Sequence, residues 1–164
     1  MNKRLSTWES IDGSCSSLAK KINADYKPDL IIAIAKGGLV PATILSNYLK
    51  VTKILSLGVS SYSPNNEKTS EIIYQNFGRN EKQLISDSRV LLVDDLSDTG
   101  DTFARVMIDI CEYTVPRDLR SACIYVKPHA KYTPDYYCEK LKTNPWIVFP
   151  WERELITLTI EENR

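Results

Sequence analysis

Residues that gather metals are scarce in this chain of 164 residues. It has one histidine, His129, and four scattered cysteines, Cys15, Cys111, Cys123 and Cys138, with no CxxC pair. A structural zinc site takes about four close ligands, so none is expected. The same scatter argues against a disulfide framework, and the cysteines read as small buried or half-buried thiols. Charge of one sign is not in excess, because 21 Lys+Arg balance 21 Asp+Glu. A general nucleic-acid coat carries a basic surplus, so no nucleic-acid partner is expected. Long apolar runs are missing too. No stretch approaches the roughly 20 residues that cross a bilayer, and the opening MNKRLSTWES has no apolar signal core. The expectation is a cytoplasmic protein with no membrane partner. Glycine and proline number only 6 and 8, against 43% hydrophobic residues. That excludes a collagen-like or disordered chain, and one domain over 1–164 fits the length.

What is present alternates. Trp8, Ile11, Cys15, Leu18 and Ile22 step by three and four, which predicts a helix before Pro28. The run from Leu30 to Ala35 reads as a strand buried on both faces, broken by Lys36-Gly37-Gly38. A second helix follows, with Pro41 in its first turn and Val40, Ile44, Leu45, Tyr48 and Leu49 inward. Lys53 to Tyr62 reads as a strand, and Ile72, Ile73, Tyr74 and Phe77 as a weaker one. The polar stretch between them makes the pair a long hairpin or flap. Arg89 to Val93 is the clearest buried strand, ended by Asp94-Asp95. Phe103, Val106, Met107, Ile110 and Tyr113 mark one face of a helix, and Ala122 to Val126 a further strand. The order predicts an α/β fold, a mainly parallel twisted sheet with helices on both faces. Ligands of such folds sit at the carboxyl ends of strands, so the segments after Ala35, Val93 and Val126 are the candidates.

The run Val90-Leu91-Leu92-Val93-Asp94-Asp95-Leu96-Ser97-Asp98-Thr99-Gly100-Asp101-Thr102 carries the chemistry. Two acids end a strand, and a tight loop then opens into a helix. Backbone N–H groups there, with the Thr99 and Thr102 hydroxyls, form an anion site. Acids beside a phosphate cradle make sense if they hold hydroxyls or Mg²⁺. The ligand so described has a phosphate at one end and a polyol in the middle, as a ribose 5-phosphate does. Helix caps alone would explain any one of these residues. They do not require so many polar groups in a row.

That run resembles the phosphoribosyl-pyrophosphate (PRPP) signature of the type I phosphoribosyltransferases. The likeness covers most of the chain and points to the purine, 6-oxopurine, branch, toward xanthine-guanine and hypoxanthine-guanine phosphoribosyltransferases. Ala35-Lys36-Gly37-Gly38 is similar to the family's pyrophosphate loop, and Ser61-Tyr62 to the start of its mobile flap, about 61–77. Val126-Lys127-Pro128 and the segment from Pro145 through Glu152 resemble a small base-binding hood, about 127–164.

The resemblance implies roles. Asp94 and Asp95 would hold the ribose hydroxyls and, directly or through water, Mg²⁺. Asp98 would lie near N7 of the purine as the catalytic proton acceptor. Backbone groups from Asp98 through Gly100 and Asp101 to Thr102, with the Thr99 and Thr102 side chains, would cradle the 5-phosphate. Lys36 and Gly37 would bind pyrophosphate, with the Ala35–Lys36 peptide cis. Lys127 would donate to O6, which favours a 6-oxo over a 6-amino group. Trp146 would stack on the ring, and the Ile147 backbone would read position 2. The implied reaction joins PRPP to N9 of hypoxanthine, guanine or, less clearly, xanthine, giving the nucleoside 5-monophosphate and pyrophosphate. Family members are usually homodimers or homotetramers.

Three departures stand out. Asp101 puts an acid in the phosphate loop, which weakens phosphate binding unless its side chain faces solvent. Glu152 stands where xanthine-using relatives carry Asp, which leaves xanthine open. His129, after Lys127-Pro128, reads as an exposed loop histidine. Rival readings are a non-catalytic PRPP-binding regulator, a phosphoribosyltransferase for another base, and a phosphate-accepting receiver domain. A receiver carries its acid pair near the N-terminus, which Asp94-Asp95 is not.

Overall fold

The structure is a computed structural model. It describes residues 2–62, 68–74 and 77–152, with the backbone alone for 60–62 and 68–74. In chain order the elements are β1 (Lys3–Leu5), α1 (Trp8–Asp25), β2 (Leu30–Ala35), α2 (Leu39–Leu49), β3 (Ile54–Tyr62), β4 (Lys68–Tyr74), α3 (Arg79–Ser86), β5 (Arg89–Ser97), α4 (Asp101–Tyr113), β6 (Asp118–Val126), β7 (Tyr136–Lys140) and β8 (Trp146–Val148). Six strands form one sheet in the order β4-β3-β2-β5-β6-β7. Only the β3–β4 pair is antiparallel. The expected hairpin is therefore present, with 63–67 of its connection, and 75 and 76 beyond it, outside the described residues.

Strand side chains alternate between two cores, as a period of two requires. Ile31, Ala33, Leu91, Val93, Ala122 and Ile124 pack with Ile11, Cys15, Leu18 and Ile22 of α1 and with Ala42 and Leu45 of α2. Leu30, Ile32, Ile34, Val90 and Leu92 pack on the other face with Ile85 of α3 and Phe103, Val106 and Ile110 of α4. Helices thus cover both faces, and the apolar runs are explained by burial on both sides. The Thr7 hydroxyl accepts from the Ser10 N–H at 3.1 Å and Ser10 Oγ accepts from the Thr7 N–H at 2.9 Å, a reciprocal cap that starts α1.

Several inward assignments are corrected. Trp8, Tyr48 and Tyr113 are exposed. In α2 the buried set is Pro41, Ala42, Leu45 and Ser46, and the Tyr48 hydroxyl instead donates to Asp12 at 3.0 Å. Ile44 and Leu49 are partly buried against the core beside Leu45, as expected, and Gly38 seats the first turn of α2 against the backbone of β2 and β5. A Cβ on Gly38 would stand 2.7 Å from the Ile34 carbonyl oxygen. Strand β5 does not end at Asp94-Asp95. It continues to Ser97, in register with Val126 of β6. Cys15 and Cys123 are buried and Cys138 half-buried, whereas Cys111 is exposed.

A separate two-stranded sheet is made by β8 pairing in parallel with β1, Arg4 opposite Ile147. Arg4 grips Glu139 with both guanidinium arms, at 2.9 and 2.7 Å, and lies 4.8 Å from the Tyr125 ring centre. Phe149 stacks on Trp151 with centres 4.6 Å apart. Among the described residues no helix is long and apolar enough to cross a membrane.

At the amino ends of β2 and β5, Asp29 accepts from the Arg89 side chain at 2.9 and 2.8 Å and from its backbone N–H at 3.0 Å. The Arg89 side-chain bonds, then the backbone bond, hold the Asp29 carboxyl well below the ordinary carboxylate range. A depressed carboxyl contributes stability above its unfolded value and loses it as pH falls toward the folded one. Thermal melts of wild type and Asp29→Asn therefore separate most at about pH 6–7, and the gap closes as pH drops below about 4. A gap that stays constant down to acid pH contradicts the pairing.

Candidate active site

The chain leaves the carboxyl ends of β2 and β5 in opposite directions. From β2 it passes through α2 to β3 on one side; from β5 it passes through α4 to β6 on the other. Adjacent strands that diverge in this way open a crevice between their ends. An open cavity of about 310 Å³ lies there, lined by Ile34, Ala35, Gly37, Val59, Asp94, Asp95, Thr102 and Glu152. The Ala35–Lys36 peptide on its rim is cis, as the resemblance implied. Gly37 closes against the acid pair, since a Cβ there would stand 2.6 Å from Asp95 Cγ. Only a residue without a side chain lets the two loops meet. The Lys36 side chain is exposed at the rim.

The phosphate loop occupies the next stretch. Gly100 adopts φ 87°, a left-handed conformation that favours glycine, and its position against Tyr132 leaves no room for a Cβ. The N-terminus of α4 follows; Gly100 gives it no side-chain cap, while the Thr99 hydroxyl accepts from the Asp101 N–H at 3.3 Å. Its first-turn N–H groups are those that anions meet at helix starts. Thr102 in that turn lines the cavity. Asp98, Thr99 and Asp101 are exposed. The Asp101 side chain faces solvent, 4.0 Å from Lys131 Nζ, so the acid in this loop sits beside a cation.

A second loop, 127–132, runs alongside the first and is bonded to it repeatedly. The Lys127 N–H donates to the Ser97 carbonyl at 2.9 Å, and the Lys131 N–H to the Thr99 carbonyl at 2.7 Å. Ser97 Oγ donates to the Tyr132 carbonyl at 2.9 Å. His129 Nε2 stands 3.1 Å from Asp98 Oδ1. His129 is exposed, as expected, but it is not idle. Its spacing in the sequence carried no sign of Asp98, because the contact crosses from β6's loop to β5's.

Lys127 is buried rather than solvated. Its ammonium donates to Asn144 Oδ1 at 2.7 Å and to the Pro145 carbonyl. With three donors it keeps one N–H for a ligand. These bonds tie it to the segment that presents Trp146, which is 56% exposed, and Ile147, which is buried. Asn144 is a site-shaping residue that the sequence reading missed, as no motif marks it. The Ser61 and Tyr62 backbone lies in β3; their side chains are outside the described residues.

Electrostatics single out the acid pair. Burial, and then the Asp95 charge, push the Asp94 carboxyl well above the ordinary carboxylate range. Asp95 is raised as well, by burial first and by the nearby Glu152 charge, with its hydrogen bond to Asp94 opposing. Glu152 borders the same cavity as the pair, and its Oε2 accepts from the Phe149 N–H at 2.9 Å. Among the described residues neither Asp94 nor Asp95 has a salt-bridge partner. Hard carboxylate oxygens short of positive charge fit Mg²⁺, which typically takes one or two carboxylates and fills its shell with water and substrate. No group of three or more His, Cys, Asp or Glu able to hold a metal is found among the described residues.

An acid pair and a glycine-bearing loop thus meet at the switch point of a parallel sheet, where ligands of such folds bind. Residues 2–155 match the phosphoribosyl transferase domain model, and the chain belongs to that family; it is a type I phosphoribosyltransferase. A xanthine-guanine phosphoribosyltransferase of Nitratidesulfovibrio vulgaris is 31% identical over 152 residues, 91% of this chain and 84% of the relative. A purine phosphoribosyltransferase from Pyrococcus horikoshii superposes with a TM-score of 0.76 at 34% identity, over 93% of this chain and 95% of that one. A Helicobacter pylori xanthine-guanine-hypoxanthine phosphoribosyltransferase shares the fold, with a TM-score of 0.79 over 96% and 99% of the two chains at 22% identity. The purine branch implied by the sequence is where these relatives lie.

The Gly37–Asp95 approach is testable. In Gly37→Ala the methyl group displaces the Asp95 carboxylate, and kcat/KM for PRPP is expected to fall by about 10²-fold, the scale of an ångström misplacement. Steady-state kinetics at varied PRPP check this, and a wild-type kcat/KM refutes the close approach.

Proposed function

We propose that the chain is a purine salvage enzyme that transfers the 5-phosphoribosyl group of PRPP to N9 of a 6-oxopurine, hypoxanthine or guanine first. The observation that supports this most is the Asp94–Asp95 pair facing Gly37 across the cavity, with Thr102 of the phosphate loop at its side. Asp94 and Asp95 would hold the ribose hydroxyls, and they are the residues that would hold Mg²⁺. The metal's contribution, when bound, is to neutralise charge on the pyrophosphate. Lys36 and the Gly37 backbone would bind that leaving group, and the loop from Asp98 to Thr102 would take the 5-phosphate.

The bond from C1 of the ribose to the pyrophosphate oxygen breaks as the bond to N9 forms, and the purine N7 proton passes to Asp98. Fixed donors meeting the departing anion supply electrostatic stabilisation where charge develops. The remaining N–H of Lys127 would donate to O6. Trp146, whose ring is exposed, would cover one face of the planar base. The β3–β4 hairpin, with Ser61 and Tyr62 at its start, would act as the flap that keeps water from the cationic ribose. The single domain spans the chain, in a cytoplasmic homodimer or homotetramer.

The test is product formation from PRPP and Mg²⁺ with hypoxanthine, guanine, xanthine and adenine in parallel. The 6-oxopurines turn over, adenine does not, and chelation by EDTA stops the reaction. Asp98→Asn lowers kcat by about 10²–10⁴-fold, the range for a lost general base. Equal turnover of adenine would remove the role given to Lys127, and an unaffected Asp98→Asn the role given to Asp98.

A further inference from the structure

We infer that His129 is a positioning residue for the transfer. Its imidazole Nε2 lies in ion-pair contact with Oδ1 of Asp98 and so favours Oδ2 as the oxygen that takes the purine proton. This rests on the reading of Asp98 as proton acceptor.

The contact is 3.1 Å, between side chains that are 45% and 62% exposed. An exposed pair of this kind adds little to stability, so its value has to lie elsewhere. A free aspartate on a loop samples several rotamers. A cationic or polar group standing against one of its oxygens selects among them. The backbone that carries this partner is fixed. His129 lies in a turn closed by the Ala130 N–H donating to the Lys127 carbonyl at 3.2 Å. That turn is bonded on either side to the neighbours of Asp98, through the Lys127 N–H to the Ser97 carbonyl and the Lys131 N–H to the Thr99 carbonyl. The imidazole and the carboxylate are therefore carried by two loops that are bonded to each other. Lys127, two residues before His129, donates its ammonium to Asn144 and Pro145. One short turn thus carries both a donor for the base and a neighbour of the group that takes its proton. A contact held before the substrate arrives costs no reorganisation at the moment of reaction.

A double-mutant cycle on the full chain, assayed with PRPP, Mg²⁺ and guanine, tests the assignment. His129→Ala is expected to lower kcat by about tenfold, the scale of one charge-assisted hydrogen bond, with KM for PRPP nearly unchanged. His129→Leu, which keeps bulk but no donor, loses as much. His129→Gln, which restores an N–H donor, recovers most of the rate. In the Asp98→Asn background, adding His129→Ala lowers kcat no further, because the histidine acts through the carboxylate. Wild-type kcat in His129→Ala beside a slow Asp98→Asn overturns the positioning role alone. So does a His129→Ala loss that multiplies in full onto Asp98→Asn, or one that appears in KM for PRPP instead of kcat, which would mark a general loosening of the phosphate loop. Wild-type kcat in Asp98→Asn overturns the proton-acceptor reading and the positioning role with it.

Discussion

The parallel pairing of β2 with β5 is the contact on which the site depends. Leu30, Ile31, Ile32 and Ala33 lie opposite Val90, Leu91, Leu92 and Val93, and all eight are completely buried. Burying each larger side chain contributes on the order of 1.5–3 kcal/mol. A slip by one residue would exchange the two core faces, so the register is strongly specified. That register decides which residue of the Lys36-Gly37-Gly38 turn meets which residue of the acid pair. Had Gly37 a side chain, or had β5 slid past β2, the loop after β2 could not reach Asp95.

A second dependence runs between the two ends of the substrate. The phosphate loop after β5 and the turn after β6 are joined by backbone bonds at Ser97 and Thr99 and by Ser97 Oγ on the Tyr132 carbonyl. Tyr132 packs over Phe103 of α4 with ring centres 5.8 Å apart, and it leaves Gly100 no room for a Cβ. The turn bonded to this loop also carries Lys127. The loop proposed for the phosphate and the lysine proposed for the base are thus parts of one hydrogen-bonded unit at the ends of β5 and β6.

The charge pattern fits this division. The chain as a whole is neutral, yet three carboxylates, Asp94, Asp95 and Glu152, share the crevice. Burial first, and the neighbouring acid charges after it, disfavour the charged forms of Asp94 and Asp95. Such an arrangement is poor for an empty protein and suited to one that meets a cation and hydroxyls there. At the other acid of the loop the balance is reached differently, for Asp101 points to solvent with Lys131 nearby.

The sheet, its two-faced burial and the acid-rich loop were legible in the sequence because each is written in consecutive residues. Apolar runs of β2 and β5 report strands buried on both sides, and Asp94 through Thr102 is contiguous. Other features were not legible. β1, α3 and β7 are short or polar, and Ile85 is the one buried residue of α3, so periodicity is silent about them. On α2 the pattern placed Ile44, Leu45 and Leu49 against the core but not Tyr48, whose hydroxyl instead reaches Asp12 of α1. Lys127 could not be told from a surface lysine until Asn144 and Pro145 were seen around it, and His129 until Asp98 was. The sequence by itself determined the buried central strands and the acid-rich loop that follows β5, since local chemistry and periodicity suffice for that. Only the tertiary structure decided which side chains face one another across the crevice. Those partners lie on different strands, and the register of a buried parallel sheet, rather than any spacing along the chain, brings them together.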